Sequence, residues 1–426
     1  LARRTELKVS IEGVDISGEV NKYLSSMTYT DNEEDKADDL QISLDDRENI
    51  WLGSWLNTPE QPQPSTTAEG WNIGDTVTVS DKPQYSSYGT GKPGAVLTNY
   101  TGSITHLNLR PGVPYPIHVD KKGWFSESRV VVVSRFKSKE IGSGGAKGAT
   151  IKASIVKKNW LGNGEELELN CGTFEIDSVD VSGPPQKLVL KATSIPYTST
   201  TRTQMKTKAW EKIKLSGIAR EIAKTNGLQA MFESGYDPMY ERKEQVQESD
   251  VVFLQRLCKD AGLALKVTAK TIVLFDVAEY EKKEPVKTIK KGSGDISSYG
   301  LQTGMNDTAY SSCRVSYTDP KTKKLIEYTF TPPNANNSGQ VLEVNEKVTS
   351  REEAKQLAMK RLREKNKDEF KATFSMTGDV LLVAGVTVDL SGFGFFDGKY
   401  IIEQATHTVS AGYKTSVSLR KVLEGY

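Results

Sequence analysis

The alternation of apolar and polar positions along this chain is nearly the same in two places far apart. Gly172-Thr-Phe-Glu-Ile-Asp-Ser-Val, then Gln186-Lys-Leu-Val-Leu-Lys-Ala, is echoed by Gly398-Lys-Tyr-Ile-Ile-Glu-Gln-Ala, then Lys414-Thr-Ser-Val-Ser-Leu-Arg-Lys-Val. A period of two with one apolar face marks a half-buried strand. Short polar turns, Gly183-Pro-Pro and Ala411-Gly-Tyr, join the strands of each copy, so each reads as a β-hairpin. A glycine-led extended run precedes each hairpin, Gly164-Glu-Glu-Leu-Glu-Leu and Gly385-Val-Thr-Val-Asp-Leu, which predicts a likeness over three strands. Two related β-domains in one polypeptide follow. Such a chain can fill a ring with twice as many positions as subunits.

The remaining patterns divide the chain further. Thr5-Glu-Leu-Lys-Val-Ser-Ile and the alternating Leu40, Ile42 and Leu44 predict strands; Asp31-Asn-Glu-Glu-Asp-Lys-Ala-Asp-Asp between them reads as a solvated acidic turn, without the glycine and ligand spacing of a calcium loop. A proline-rich stretch from Pro59 and the linker Gly142-Ser-Gly-Gly-Ala-Lys-Gly bracket a compact segment. Residues 57–147 therefore read as a domain inserted in a loop of a first β-domain made of 1–56 and 148–200.

Over 201–290 the period changes. Ala209, Trp210, Ile213, Ile218 and Ile222 predict a helix stopped by Gly227, and Ser249 caps a second one that Gly262 closes, with Val251, Val252, Leu254, Leu257, Cys258 and Ala261 inward. A hairpin completes a small α/β module. Residues 291–426 form the second β-domain, with a helix at about 350–366 opened by the capping box Ser350-Arg-Glu-Glu353. The fold class is mainly β with some α.

Charge excludes little: Lys+Arg 56 against Asp+Glu 55 gives +1, so no overall field draws the chain to nucleic acid, and no sequence-specific binding to it is expected. The basic run Arg202, Lys206, Lys208, Lys212, Lys214 is interleaved with Glu211 and reads as a solvated helix face. Cys171, Cys258 and Cys313 are widely separated and read as core residues, with no metal expected. No apolar run approaches the roughly 18 residues that span a bilayer, and the start of the chain lacks a signal h-region. His106, His118 and His407 belong to no catalytic or metal pattern, and Gly142-Ser-Gly-Gly-Ala-Lys-Gly departs from a phosphate loop at Ala146 and Gly148. Neither an enzyme nor a cofactor is expected.

The inserted segment is where recognition is expected. Trp71-Asn-Ile-Gly-Asp-Thr-Val-Thr-Val-Ser, Tyr85-Ser-Ser-Tyr-Gly-Thr-Gly and Gly123-Trp-Phe-Ser resemble a bacterial SH3-like barrel. Trp71, Tyr85, Tyr88 and Trp124 then become candidate contacts for a wall polymer or another partner, since flat rings offer large stacking area; the plainer alternative is that they fill a small barrel.

The hairpin from Gly172 ending in Leu190-Lys-Ala-Thr-Ser-Ile-Pro196, the module Leu215-Ser-Gly-Ile-Ala-Arg-Glu-Ile-Ala with Glu248-Ser-Asp-Val-Val-Phe-Leu-Gln-Arg-Leu-Cys-Lys-Asp-Ala-Gly, and the terminal Gly398-Lys-Tyr-Ile-Ile-Glu-Gln-Ala together resemble the baseplate hub of contractile phage tails, the late-control D-type hub family, and related tailocins. The resemblance covers about 1–56 and 148–423. It implies two tail-tube-like barrels per subunit and a homotrimer that adapts a hexameric tail tube to a trimeric spike. Other baseplate proteins, and a tape-measure protein in the channel, are further partners it implies. The location implied is the virion or tailocin baseplate, after synthesis in the bacterial cytoplasm. The rival reading is a tail-associated wall-binding protein or wall hydrolase acting through the insert.

Overall fold

The computed structural model describes residues 2–425 except 35, 48–75, 109, 111, 135–147, 161, 195–203, 269, 305–307, 321–322 and 336–338. The chain divides into two compact units, Asn57–Ile141 and the remainder.

Among the described residues of the larger unit, strand patterning produces one thirteen-stranded sheet. Ten of its strands are two copies of one design. The first copy is β1 (Leu24–Asn32), β2 (Asp39–Asp45), β3 (Thr150–Lys158), β4 (Glu166–Ser182) and β5 (Lys187–Thr193). The second is β6 (Ile296–Thr303), β7 (Phe370–Thr377), β8 (Thr387–Ser391), β9 (Gly398–Val409) and β10 (Tyr413–Lys421). The order is β1-β2-β5-β4-β3 in one and β6-β7-β10-β9-β8 in the other.

The likeness reaches the irregularities. The register slips between Ile176 and Ser178 on β4 and between Ile402 and Gln404 on β9; it slips again between Leu24 and Ser26 on β1 and between Ile296 and Ser298 on β6. Bulges re-aim a strand and are features of a design, so two matched pairs indicate one architecture used twice.

The glycine that matches Gly385 is Gly148, not Gly164 as the sequence pattern predicts. Gly148 has φ +80° and Gly385 φ +81°. Gly148 N–H donates to Ile176 O (2.7 Å) and Gly385 N–H to Ile402 O (2.8 Å). Residues 166–171 instead continue into Gly172 as a single long strand. Alternation alone cannot distinguish a new strand from the first half of a bent one.

Each copy carries its elaboration in a different loop. Between β2 and β3 lies the smaller unit, whereas between β6 and β7 lies a sheet of Ser312–Thr318, Leu325–Phe330 and Val341–Val344 under the helix Arg351–Asn366. Ser350 caps that helix, its hydroxyl accepting from Glu353 N (3.1 Å), and Ala354, Ala358 and Leu362 are its buried face.

Between the copies lies a module built on the helices Leu215–Thr225 and Asp250–Ala261. The sequence reading began the first helix too early. Lys206–Lys214 is a strand paired with Met239–Glu248, and only Trp210 of its residues is buried. Lys206, Lys208, Lys212 and Lys214 of the basic run therefore lie on a strand, with Lys208 bonded to Glu221 and Lys206 to Asp250, while Arg202 lies outside the described residues. Spacing of three between Trp210 and Ile213 suits a helix, but pairing with 239–248 overrides that local preference. Val252, expected inward, is half exposed, and Phe253 takes its place in the core.

On the sheet face opposite the core, small hydroxyl side chains recur: Thr28 and Thr30 on β1, Ser375 on β7, Thr406 and Thr408 on β9, Ser416 and Ser418 on β10. Ser375 and Ser416 share a hydrogen bond of 2.6 Å.

The smaller unit is a five-stranded antiparallel sheet from Thr76–Val79, Tyr100–Leu107, Ile117–Val119, Gly123–Phe125 and Val130–Ser134. Val77, Val79, Ile104, Ile117, Val119, Phe125 and Val130 form its core.

Candidate assembly interface

The two copies meet where β9 pairs antiparallel with β1, in the register Gln404↔Asn32, Ala405↔Asp31, Thr406↔Thr30, His407↔Tyr29, Thr408↔Thr28, Val409↔Met27. Along this seam the core-side residues are shut off from water: Ala405 and His407 are 0% exposed and Val409 3%. Tyr29 stacks on His407 with ring centroids 5.9 Å apart. Leu382 O can only accept, so His407 Nε2 donates to it (3.0 Å) and Nδ1 accepts from the Tyr413 hydroxyl (2.8 Å). That neutral tautomer is fully used. Burial pushes the His407 pKa down to about 4.

Beside the seam lies the acidic segment, which is not the solvated turn its composition suggests. Asp31, Asn32, Glu33 and Asp38 are all buried. Asp31 accepts from Lys266 Nζ (2.8 Å) and from Ala384 N (2.9 Å), so one carboxylate ties the first copy to the middle module and to the loop before β8. Asp38 lies 3.4 Å from the same Lys266 nitrogen and accepts from Asn32 N (2.9 Å). Burial pushes the Asp38 carboxyl upward against the pull of Lys266. Burial also pushes Glu33 up to about 8 despite the nearby Arg420. Charge density alone read as hydration because the partner, Lys266, is more than two hundred residues away in sequence.

A second ionic cluster locks β10 in place. Arg420 Nη1 binds Glu281 Oε1 at 2.5 Å, and Arg363 Nη2 reaches the same oxygen at 2.6 Å. None of Lys266, Glu281, Arg363 or Arg420 stood out in the sequence, since each is an ordinary polar residue whose partner only the fold supplies.

At the other two ends the corresponding surfaces lie open. Among the described residues, no strand pairs with the outer side of β6 or with the side of β4 beyond Ser178 that β5 does not occupy. Val179 and Val181, the counterparts of Ala405 and His407, are partly exposed, Val181 by 45%. On β6, Tyr299 and Leu301 are the counterparts of Met27 and Tyr29; Tyr299 is 47% exposed where Met27 is 0%.

Of the aromatic candidates in the insert, Trp71 lies outside the described residues. Tyr85 and Tyr88 are 81% and 56% exposed, and Trp124 is half-buried. Trp124 exchanges backbone hydrogen bonds with Gln84 (2.9 and 3.0 Å), which fixes the tyrosine loop beside it. His106 and His118 face each other across antiparallel strands, rings 5.3 Å apart, and Trp124 packs on His118 at 5.1 Å. Among the described residues no group of three or more His, Cys, Asp or Glu side chains could hold a metal ion. No helix there is long and apolar enough to cross a membrane.

Residues 191–413 match the family described as phage tail baseplate hub. Over 170 residues the sequence is 26% identical to the probable baseplate hub protein of Escherichia phage 186, spanning 39% of this chain and 43% of that protein. The fold resembles a tail protein from Neisseria meningitidis MC58, with TM-score 0.56, 11% identity, and coverage of 98% of this chain and 96% of the other. It also resembles the 43 kDa tail protein of prophage MuSo2 from Shewanella oneidensis, with TM-score 0.53, 12% identity, and coverage of 98% and 99%.

Proposed function

Because this chain belongs to the phage tail baseplate hub family, we propose that it works as a trimer joining a hexameric tail tube to a trimeric spike. The observation that carries this reading is the matched pair of five-stranded copies, fused edge to edge in one sheet. Three such chains supply six equivalent positions to one neighbour while keeping threefold symmetry for the other. The role is structural, with no chemistry of its own, and its location is the baseplate of a virion or a tailocin. The hydroxyl-rich sheet face suits a channel wall past which a tape-measure protein or other polymer moves, because it offers many weak, interchangeable hydrogen bonds. Co-expression with the cognate tube and spike proteins, followed by light scattering, tests the reading. Three hub copies per complex are expected; a hub that remains monomeric at micromolar concentration with both partners present rejects it.

A second reading concerns the insert alone, and the exposure of Tyr85 and Tyr88 favours it. An SH3-like module with two rings in solvent fits a wall polymer, whose sugar faces stack on aromatic planes. Replacing both, Tyr85→Ala with Tyr88→Ala, is expected to lower retention on purified sacculi roughly tenfold, the product of two stacking contacts. Unchanged retention rules out these residues as the contact.

A further inference from the structure

Two of the three histidines, which no sequence motif links, are brought face to face by the fold of the insert. We propose that His106 and His118 form a two-imidazole site for a borderline divalent metal ion of the zinc class. The site lies wholly within the smaller unit and is independent of both functional readings above. His106 on the strand Tyr100–Leu107 lies directly opposite His118 on Ile117–Val119, and His118 lies opposite Trp124 on Gly123–Phe125, so the three side chains share one face of the sheet. A zinc ion about 2.1 Å from one nitrogen of each ring, bonded at the tetrahedral angle, holds the ring centroids roughly 5 Å apart. The two rings stand 5.3 Å apart, at 86° to one another.

The surroundings of His118 suit a ligand. The Thr105 hydroxyl lies 2.6 Å from Nδ1 and has acceptors for its own proton in Asp120 O (3.2 Å) and His118 O (3.3 Å). Its oxygen can therefore accept from Nδ1–H, which leaves the lone pair on Nε2. A bond of this kind to the far nitrogen fixes the tautomer of a metal-bound imidazole and raises its basicity. Trp124 packs on the same ring at 5.1 Å and restrains it from the other side. Burial, and then the proximity of His106, hold the His118 pKa below its usual value against the pull of Asp120, so the ring is neutral at pH 7, as a ligand must be. Asp120 adds negative charge nearby, while its two oxygens are taken by Ser103 N (3.0 Å) and the Tyr100 hydroxyl (2.8 Å). His106 is exposed, and among the described residues nothing bonds to its ring nitrogens or to His118 Nε2.

Two protein ligands leave two positions of a tetrahedral ion open to water or to an outside oxygen donor such as a phosphate. The site is therefore an open one, in keeping with the absence of any group of three or more ligating side chains among the described residues. Imidazole nitrogen selects zinc, copper and nickel over calcium and magnesium, which take oxygen ligands. The third histidine does not compete: His407 is 0% exposed and both its ring nitrogens are bonded. Cys171, Cys258 and Cys313 are buried.

Equilibrium dialysis of the full chain against zinc chloride at pH 7 is expected to show one ion bound per chain. His106→Gln and His118→Gln are each expected to weaken binding about tenfold or more, because each removes one of two ligands. Thr105 is a positioning residue: Thr105→Val is expected to weaken binding roughly tenfold by removing the bond that orients His118, and Thr105→Ser, which keeps the hydroxyl, to retain the affinity. The melting temperature without metal separates lost ligation from lost fold, and it is expected to be unchanged in His106→Gln because that side chain lies in solvent. Zinc binding that persists in the double variant, or that only one of the two histidines affects, overturns the chelate. So does a wild-type chain that binds no zinc.

Discussion

Glu281→Ala is expected to lower the unfolding free energy by about 3–5 kcal/mol, because it strands two guanidinium groups that share one carboxylate. Glu281 and Arg420 are each 3% exposed, and Arg363 is mostly covered. A surface ion pair would be worth about 1 kcal/mol or less, since water substitutes for the lost partner. Here water is excluded, and the cost is the desolvation of Arg363 and of an Arg420 left with only the longer 3.6 Å contact to Glu403. Urea unfolding at pH 7 measures it through the shift in midpoint at constant slope. The double variant Glu281→Met, Arg420→Met is expected to recover part of the loss, because apolar side chains can occupy the vacated space. A single-variant loss below about 1 kcal/mol would show that the cluster behaves as a solvated pair.

Acid should open the internal seam through His407. Its folded pKa of about 4 lies below the ordinary 6.5, so as pH falls the unfolded chain takes up the proton first. The stabilisation is complete above about pH 6.5 and is lost as pH falls to about 4, a total of about 3 kcal/mol at 1.36 kcal/mol per pH unit. Protonation would place a charge in a sealed site and leave the Tyr413 hydroxyl without its acceptor. Glu33 acts in the opposite sense. Its carboxyl, raised to about 8, holds its proton longer than in the unfolded chain, so its contribution is full at acid pH and fades as pH rises toward 8. Comparison with His407→Gln separates the two, because glutamine can still donate to Leu382 O but does not titrate. Between pH 6.5 and 4.5 the wild type should lose stability relative to the variant; parallel curves would exclude His407 as the titrating group.

The duplication was legible in the sequence because it rests on alternation, and alternation is set by which side chains face the core. The hairpins from Gly172 and Gly398 are both where that pattern predicts. Helix ends marked by Ser249, Gly262 and Ser350 were legible too, since a cap is a local bond between near neighbours. What escaped is everything set by distant partners. Trp210 sits on a strand because residues 239–248 lie beside it, and the acidic segment is buried because Lys266 and Arg420 come to meet it. Gly148 reads by composition as the end of a linker, yet it opens the strand that matches β8. The open edges at Val181 and Leu301 were invisible for a related reason: their hydropathy matches that of covered strands, and only the pairing pattern distinguishes them.

In the proposed three-subunit ring, the fusion of both copies into one polypeptide would also set the kinetics of closure. Tethered surfaces meet at an effective concentration on the order of millimolar, whatever the abundance of the protein. The β1–β9 contact is therefore immune to dilution, and a six-position ring of the proposed kind would need three molecules to collide instead of six. Half the joints of such a ring would form by intramolecular folding, and only the other half would obey mass action.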